Sequence, residues 1–539
     1  MSVRSLSGLD GATTHLQAPI CVIGAGLAGL LVARRLAGLG HKVLLLESGG
    51  LGDDADILNQ IDDPASRYDR ALTGRHRGYG GTSSRWGGRM IPICEHDFSA
   101  RPHVGLDSWP LRLVDLDGYD GEIEDLFGIA SGSHEDIPSE SNARSRAFPT
   151  AEASLTPRWA KCPSFKNCNI ATLLDGELRR SRAIEIWLDA TVCGFELDRD
   201  AGRLIGVTAR SLAGKEMSVR AERFVIAAGT IESTRLLLLL DAASEERAFA
   251  RCKVLGRYFQ DHLKAEVATI GRADPVATNR LFGYRFVGGT RRDLHLELAQ
   301  AAQEQAHVAS AFAYIAMNLA QSPLAELKAV AQSLQRRTFD LRATGRLSRS
   351  LGVMMKVAWW RLATNQLFVP PDIEFKLMAC VEQLPKWSNR ICLSQRPDRH
   401  GNRMARIEWE PSASDESAFR TMIWAIGTYW ESAGFDRICP LRWSPAARNG
   451  LPLIIEQAEA CAHPSGSTRM GTSRENSVVG PDLQCHDVAN VGVVSASVFP
   501  SAGSANPTFT LMKMALWYAD GLNRALRSPP VVEPRLSAA

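Results

Sequence analysis

Two short apolar runs, Ile20–Ile23 and Val43–Leu46, flank the turn Gly24-Ala25-Gly26-Leu27-Ala28-Gly29 and a helical pattern that reaches Leu39 and stops at Gly40. Strand, tight glycine turn, helix and strand in that order make a βαβ unit, which commits this part of the chain to a sheet with parallel neighbours. The three glycines have separate uses: one for the tight turn, one for close approach of backbone to phosphates, one for close packing of helix on strand. Amides at the start of the helix then favour an anion. Glu47 ends the second strand, where a carboxylate can meet ribose hydroxyls, and Ser48 follows it. A turn selected only for packing explains the glycines alone. Strand, helix and acid together point to a dinucleotide.

The chain has 539 residues, 45% of them hydrophobic, more than one core usually serves, so two interlocked domains are expected. With 62 basic against 59 acidic side chains, no overall field favours nucleic acid. The eleven cysteines are scattered singly without a CxxC pair, which predicts free thiols in a reducing compartment and no metal site. Met1 to Pro19 contains no continuous apolar run and no stretch reaches spanning length, so a cytoplasmic protein is expected.

Further along, Ile184–Val192, Gly194–Leu197, Leu204–Ser211 and Met217–Arg220 alternate like strands of a small antiparallel sheet. Phe224–Ala228 reads as a second buried strand, followed by Gly229-Thr230 and a helix from about Glu232 to Leu240. Arg70, Arg75, His76 and Arg77 suit an anion, but surface exposure explains them at least as well. Leu324, Leu327, Ala331, Leu334 and Leu341, then Leu347, Leu351, Met354, Ala358 and Leu362, form two stripes among arginines. This basic amphipathic segment, 324–363, reads first as a packed helical insertion and second as a contact for a membrane surface or an acidic partner. Trp359, Trp360, Trp387, Trp424 and Trp430 read as core before they read as a sugar-stacking surface. The tail from Ser528 is Pro-rich and expected to be loose.

Several ordered motifs accompany the first turn: Gly80-Gly81-Thr82-Ser83-Ser84-Arg85-Trp86-Gly87-Gly88, Phe224 to Leu237, Leu255 to His262, His463 to Gly471, Pro481-Asp482-Leu483, Val493 to Pro500, and Asn506-Pro507-Thr508. Together they resemble the glucose-methanol-choline oxidoreductases, FAD-dependent alcohol oxidases and dehydrogenases. The resemblance implies an α/β fold in which a Rossmann-like FAD-binding domain is interleaved with an α+β substrate domain built on an antiparallel sheet. The expected division is 18–262 for FAD, with part of 90–180 on the substrate side, 263–450 for substrate with a helical insertion at about 322–365, and 451–527 returning to the FAD domain. Residues 528–539 are the tail.

By the same resemblance, Gly24, Gly26, Leu27, Ala28, Gly29, Glu47 and Ser48 hold the nucleotide, joined by Gly81, Thr82, Ser83, Trp86, Gly87 and Gly88 beside the pyrophosphate and flavin. Val192, Ala228 and Gly229 fall near the adenosine, and Ser495, Ala496, Asn506, Pro507 and Thr508 near the flavin. Ser495 stands where an aspartate is usual, and Gly480 replaces an acid. Arg85 occupies the place of the histidine that carries covalent FAD in some relatives, so noncovalent FAD is expected.

Removing hydride from a carbinol carbon to flavin N5 leaves positive charge there unless the hydroxyl proton also departs, so a base is required. The resemblance gives that role to His463, whose neutral imidazole would make the rate rise with pH through the ordinary histidine titration. Asn506 precedes Pro507 as a helix N-cap would, and the resemblance also places its carboxamide on the substrate hydroxyl. Amides at the start of that helix would stabilise negative charge on reduced flavin. The implied substrate is a small hydroxylated molecule, a sugar, glycoside or similar polyol first, with oxygen, a quinone or a redox protein as electron acceptor. A non-redox lyase acting on cyanohydrin-type substrates is the alternative, and a noncatalytic flavin-binding module the third.

Overall fold

Ile20–Ile23 and Val43–Leu46 are buried along their whole length, as central strands covered on both faces must be, and they pair in parallel from Ile20↔Val43 to Ile23↔Leu46. The computed structural model describes residues 3–52, 57–62, 67–135, 149, 154–318 and 351–527. Leu324 to Leu347 of the basic stripe and the tail 528–539 lie outside the described residues.

The first sheet runs in the order Val3–Ser5, Ile184–Leu188, Val43–Leu46, Thr13–Ile23, Glu216–Ile226, Leu204–Arg210 and Thr191–Leu197. The first five strands are parallel to their neighbours, and Val491–Val493 adds in parallel to the end of Glu216–Ile226. The last two pairings are antiparallel. The expected strand Ile184–Val192 is therefore two strands in different parts of one sheet, broken where Asp189 adopts φ 57° and its amide donates to the Gly49 carbonyl at 3.1 Å. Met217–Arg220 and Phe224–Ala228 are likewise one strand, whose first half pairs with the hairpin and whose second half pairs with Val491–Val493.

The second sheet is antiparallel, in the order Arg285–Val287, Thr290–Leu298, Ala311–Met317, Phe375–Glu382, His262–Ile270 and Leu441–Trp443. Leu155–Cys162 also pairs with Thr290–Leu298, and Glu459–Ala460 with His262–Ile270, so chain from both sides of the first sheet's later strands contributes. Each sheet carries its own large apolar cluster. The hairpin Arg390–Pro397/Arg403–Glu408 lies on the helix Gly229–Ala243, where Arg235 donates to the Arg403 carbonyl and to Asp398.

The C-terminal helix Pro507–Arg527 packs beside Leu27–Gly38, fixed by the bidentate Arg35–Asp520 pair at 2.7 and 2.8 Å. Trp430 is core, stacked on Phe282, and Trp360 is buried against Phe368. Trp359, Trp387 and Trp424 are exposed instead. Among the described residues, no helix is long and apolar enough to cross a membrane.

Candidate active site

At the carboxyl ends of the parallel strands a cleft opens, with about 1440 Å³ of space counting its open mouth. Such crevices outside the strand ends are where α/β sheets receive ligands. Its walls include Gly24, Gly26, Leu27, Ala28, Glu47 and Ser48 from the βαβ unit, Gly81, Thr82 and Ser83 from the second glycine loop, and Val192, Ala228 and Gly229 from the middle strands. His463, Ser495, Ala496, Pro507 and Thr508 complete it from the C-terminal segments.

The glycines differ in what confines them. A Cβ on Gly29 would lie 1.9 Å from the Gly24 carbonyl oxygen, so this glycine serves helix packing rather than the cleft wall. A Cβ on Gly26 would meet no protein atom within 4 Å; its open side faces the cleft. Glu47 is buried, accepting from the Ala25 amide at 2.7 Å and the Gly49 amide at 3.0 Å. Burial raises its pKa, and those amides oppose the rise.

In the Gly80 loop, Ser83 donates to the Gly80 carbonyl at 2.6 Å, and Thr82 accepts from the His76 amide. Trp86, Gly87 and Gly88 stand away from the cleft wall. Trp86 donates its indole N–H to the Cys168 carbonyl and meets Phe127 edge-on, and Gly88, at φ 70°, packs against Pro163. Gly480 is also outside the cleft, and Ser495 lines it while capping the turn Ala496–Val498 by accepting from the Ser497 amide.

Arg75 and Arg77 are not surface residues. Their side chains are 16% and 10% exposed, line the cleft, and pair with Glu232, which also meets Arg235. Arg75 Nη2 and Arg77 Nε are buried without a hydrogen-bond partner, and two unsatisfied cationic donors beside a helix N-terminus fit an anion such as a diphosphate. Burial, then the Arg77 charge, lowers the Arg75 pKa to about 9, a cost that an anion would offset.

His463 lines the cleft from a segment entered through Ala462 in the left-handed region at φ 60°. The His463 amide donates to Asp261 at 2.9 Å, and the second Asp261 oxygen accepts from Tyr68 at 2.5 Å. His463 Nε2 lies 3.3 Å from Asn506 Nδ2, and Nδ1 lies 3.3 Å from Nδ1 of His262. Asn506 is not among the residues that line the cleft; it touches His463, and its Oδ1 is buried without a partner. Burial, followed by the charges of His262, Lys264, Arg89 and His295, holds the His463 pKa well below the ordinary histidine value of 6.5. Burial also raises Asp261 to about 7.

The loop before Asn506 is held from below. Arg101, 3% exposed, makes a bidentate pair with Glu382, whose Oε1 accepts from the amides of Ala502 and Gly503, while Asp97 accepts from the Ser504 amide. A Cβ on Gly503, at φ 65°, would come within 2.7 Å of Asp97. None of Asp261, His262, Tyr68 or Arg101 was assigned a role from the sequence. Their only local signal is the Gln260-Asp261-His262 ending of the Leu255 motif.

A cleft walled by a glycine turn, buried arginines and a histidine has the groups that a bound nucleotide cofactor needs. Residues 385–515 match the family model described as GMC oxidoreductase. The chain is 24% identical over 584 residues to 2-methyl-1,2-propanediol dehydrogenase of Mycolicibacterium austroafricanum, covering 97% of this chain and 98% of that protein. It is 21% identical to the fructose dehydrogenase large subunit of Gluconobacter japonicus, covering 95% of this chain and 99% of that one, and 21% identical to 6'''-hydroxyparomomycin C oxidase of Streptomyces lividus, covering 94% and 92%. In fold it is similar to pyridoxine 4-oxidase from Mesorbium loti, with a TM-score of 0.54 and 15% identity, over 94% of this chain and 99% of that one. Residues 385–515 thus match the C-terminal domain of the GMC oxidoreductases, a family of flavoproteins, and the dehydrogenases and oxidases that resemble the chain along nearly its whole length mark it as an oxidoreductase acting on CH–OH donors.

Proposed function

We propose that this chain oxidises the hydroxyl group of a sugar, glycoside or similar polyol to a carbonyl, with noncovalently bound FAD as cofactor, His463 as general base and Asn506 as the group that orients the hydroxyl. The observation that carries this reading is that one cleft is lined both by His463, which touches Asn506, and by bare glycine backbone, Glu47 and two arginines that each keep one unpartnered donor. When bound, FAD supplies the acceptor for the hydride that leaves the carbinol carbon.

The protein's own contribution is placement and proton transfer. The cleft-lining part of the glycine turn, Gly24, Gly26, Leu27 and Ala28, with Arg75 and Arg77 would hold the diphosphate, Glu47 the ribose, and Val192, Ala228 and Gly229 the adenosine side. His463 Nε2 takes the hydroxyl proton, and the carboxamide of Asn506, 3.3 Å from that nitrogen, hydrogen-bonds the substrate hydroxyl. Amides opening the helix Pro507–Arg527 face negative charge developing in the cleft. Residues 18–262 with 451–527 form the cofactor side and 263–450 the substrate side. The substrate class draws support from the 2-methyl-1,2-propanediol, fructose and 6'''-hydroxyparomomycin C named for the relatives, and noncovalent attachment from Arg85.

Anaerobic mixing with 2-methyl-1,2-propanediol, fructose, an aminoglycoside and pyridoxine tests the reading. The expected outcome is bleaching of the yellow flavin by at least one of them, with flavin released by acid precipitation of the protein. Product formed while flavin stays oxidised would mark the lyase alternative instead.

Because the base must be neutral and its pKa is depressed, protonation occurs only at acid pH. The rate of anaerobic flavin reduction is therefore expected to be flat through neutrality and to fall only well below pH 6.5. This moves the titration from where an unperturbed histidine would put it. Stopped-flow rates across pH check it, and a rise centred at 6.5 or above contradicts it.

A further inference from the structure

His262 is fully buried at the start of the strand His262–Ile270 of the second sheet and does not itself line the cleft. Its Nε2 lies 2.7 Å from the Gly503 carbonyl oxygen. A carbonyl only accepts, so Nε2 carries a hydrogen. The groups around the ring are the His463 imidazole, the Gly503 carbonyl, Phe312 edge-on, and more distantly Glu382 and Asp97, each already engaged with Arg101. Burial keeps the ring neutral, which leaves Nδ1 as a bare acceptor.

That acceptor is 3.3 Å from Nδ1 of His463. Two bare nitrogens at that distance would repel, so His463 Nδ1 carries the hydrogen and donates it to His262. Nε2 of His463 is then the nitrogen with a lone pair, facing the carboxamide N–H of Asn506 at 3.3 Å. The order Gly503 carbonyl, His262, His463 thus fixes a tautomer through a chain of directed bonds, and the chain begins on a loop that Glu382 and Asp97 hold by three backbone amides.

We infer that His262 is a positioning residue that holds His463 in the Nδ1–H tautomer, presenting Nε2 as the base for the substrate hydroxyl. The inference rests on the proposed role of His463. In the step it serves, the hydroxyl O–H bond breaks, the proton bonds to His463 Nε2, and the electron pair left on oxygen closes the carbonyl as the hydride departs to oxidised flavin. The Nδ1–H bond to His262 persists throughout and strengthens when His463 becomes cationic.

The test compares His262→Phe, which removes the acceptor, with His262→Asn, whose side-chain oxygen falls close to the position of Nδ1. Each is measured as flavin-loaded protein by anaerobic reduction with the alcohol that bleaches the wild type, beside His463→Ala. His262→Phe is expected to lower the limiting reduction rate about ten- to a hundredfold with KM little changed, and His262→Asn to recover most of it. Wild-type rates in His262→Phe, or equal losses in both variants, overturn the inference. If His463→Ala is itself without effect, the reading of His463 as the base fails first. Nitrogen NMR of 15N-histidine-labelled wild-type holoenzyme, with the His463 signals identified by their loss in His463→Ala, needs neither His262 variant to fold. A protonated Nδ1 and bare Nε2 on His463 support the inference, and a protonated Nε2 with bare Nδ1 overturns it.

Discussion

His463→Ala is expected to retain its flavin and to reduce it about a hundredfold or more slowly than wild type, in anaerobic stopped-flow measurements with a saturating alcohol. Retention follows from how position 463 is anchored. Asp261 holds its main-chain amide, which alanine keeps, and the His463 side chain bonds His262 and Asn506 rather than the cleft glycines, Glu47 or the arginines. The rate loss follows from the lack of a substitute. Asn506 has no titratable proton, His262 is shielded behind His463 and bonded to Gly503, and His76, the other histidine among the described residues that line the cleft, sits with Arg75 and Arg77. Unchanged reduction would remove His463 from the chemistry.

The second large effect separates two glycines three residues apart. Gly29→Ala would place a methyl 1.9 Å from the Gly24 carbonyl, backbone against backbone inside the buried βαβ unit, so the turn itself must move. About 3 kcal/mol of stability and the bound flavin are expected to be lost together. Gly26→Ala meets nothing within 4 Å and sits at φ −81°, which any residue adopts. The apoprotein should lose no more than about 1 kcal/mol, from exchanging glycine for alanine at the helix N-cap. Its flavin affinity should still fall at least about tenfold, because the added methyl occupies space that the diphosphate needs. Melting curves of apo and flavin-loaded protein distinguish the cases. A Gly26→Ala protein with full flavin affinity would mean that nothing approaches the backbone at that point.

What was legible in the sequence is what local order encodes. Apolar runs of strand length, glycines at fixed spacing and an acid after the second strand specify the βαβ unit without distant contacts, and part of each of several motifs lines one cleft, while Gly29, Trp86, Gly87, Gly88 and Asn506 stand off its wall. Asp189 shows where this stops. Nothing in Ile184–Val192 announces a break, because the left-handed turn is stabilised by the Gly49 carbonyl far away in the chain. Arg75 and Arg77 look like surface charge until Glu232 is brought beneath them by the helix Gly229–Ala243. His262 had a visible signal, the Asp-His dipeptide, but its meaning depends on Gly503, which the fold alone delivers.

Anaerobic single-turnover mixing of the flavin-loaded protein with the reducing alcohol, protonated or deuterated at the carbinol carbon, tests hydroxyl oxidation most directly. Bleaching is expected with one carbonyl product per flavin, slower for the deuterated alcohol and about a hundredfold slower in His463→Ala. Carbonyl product appearing with the flavin still oxidised, or bleaching indifferent both to deuterium and to His463, would contradict it.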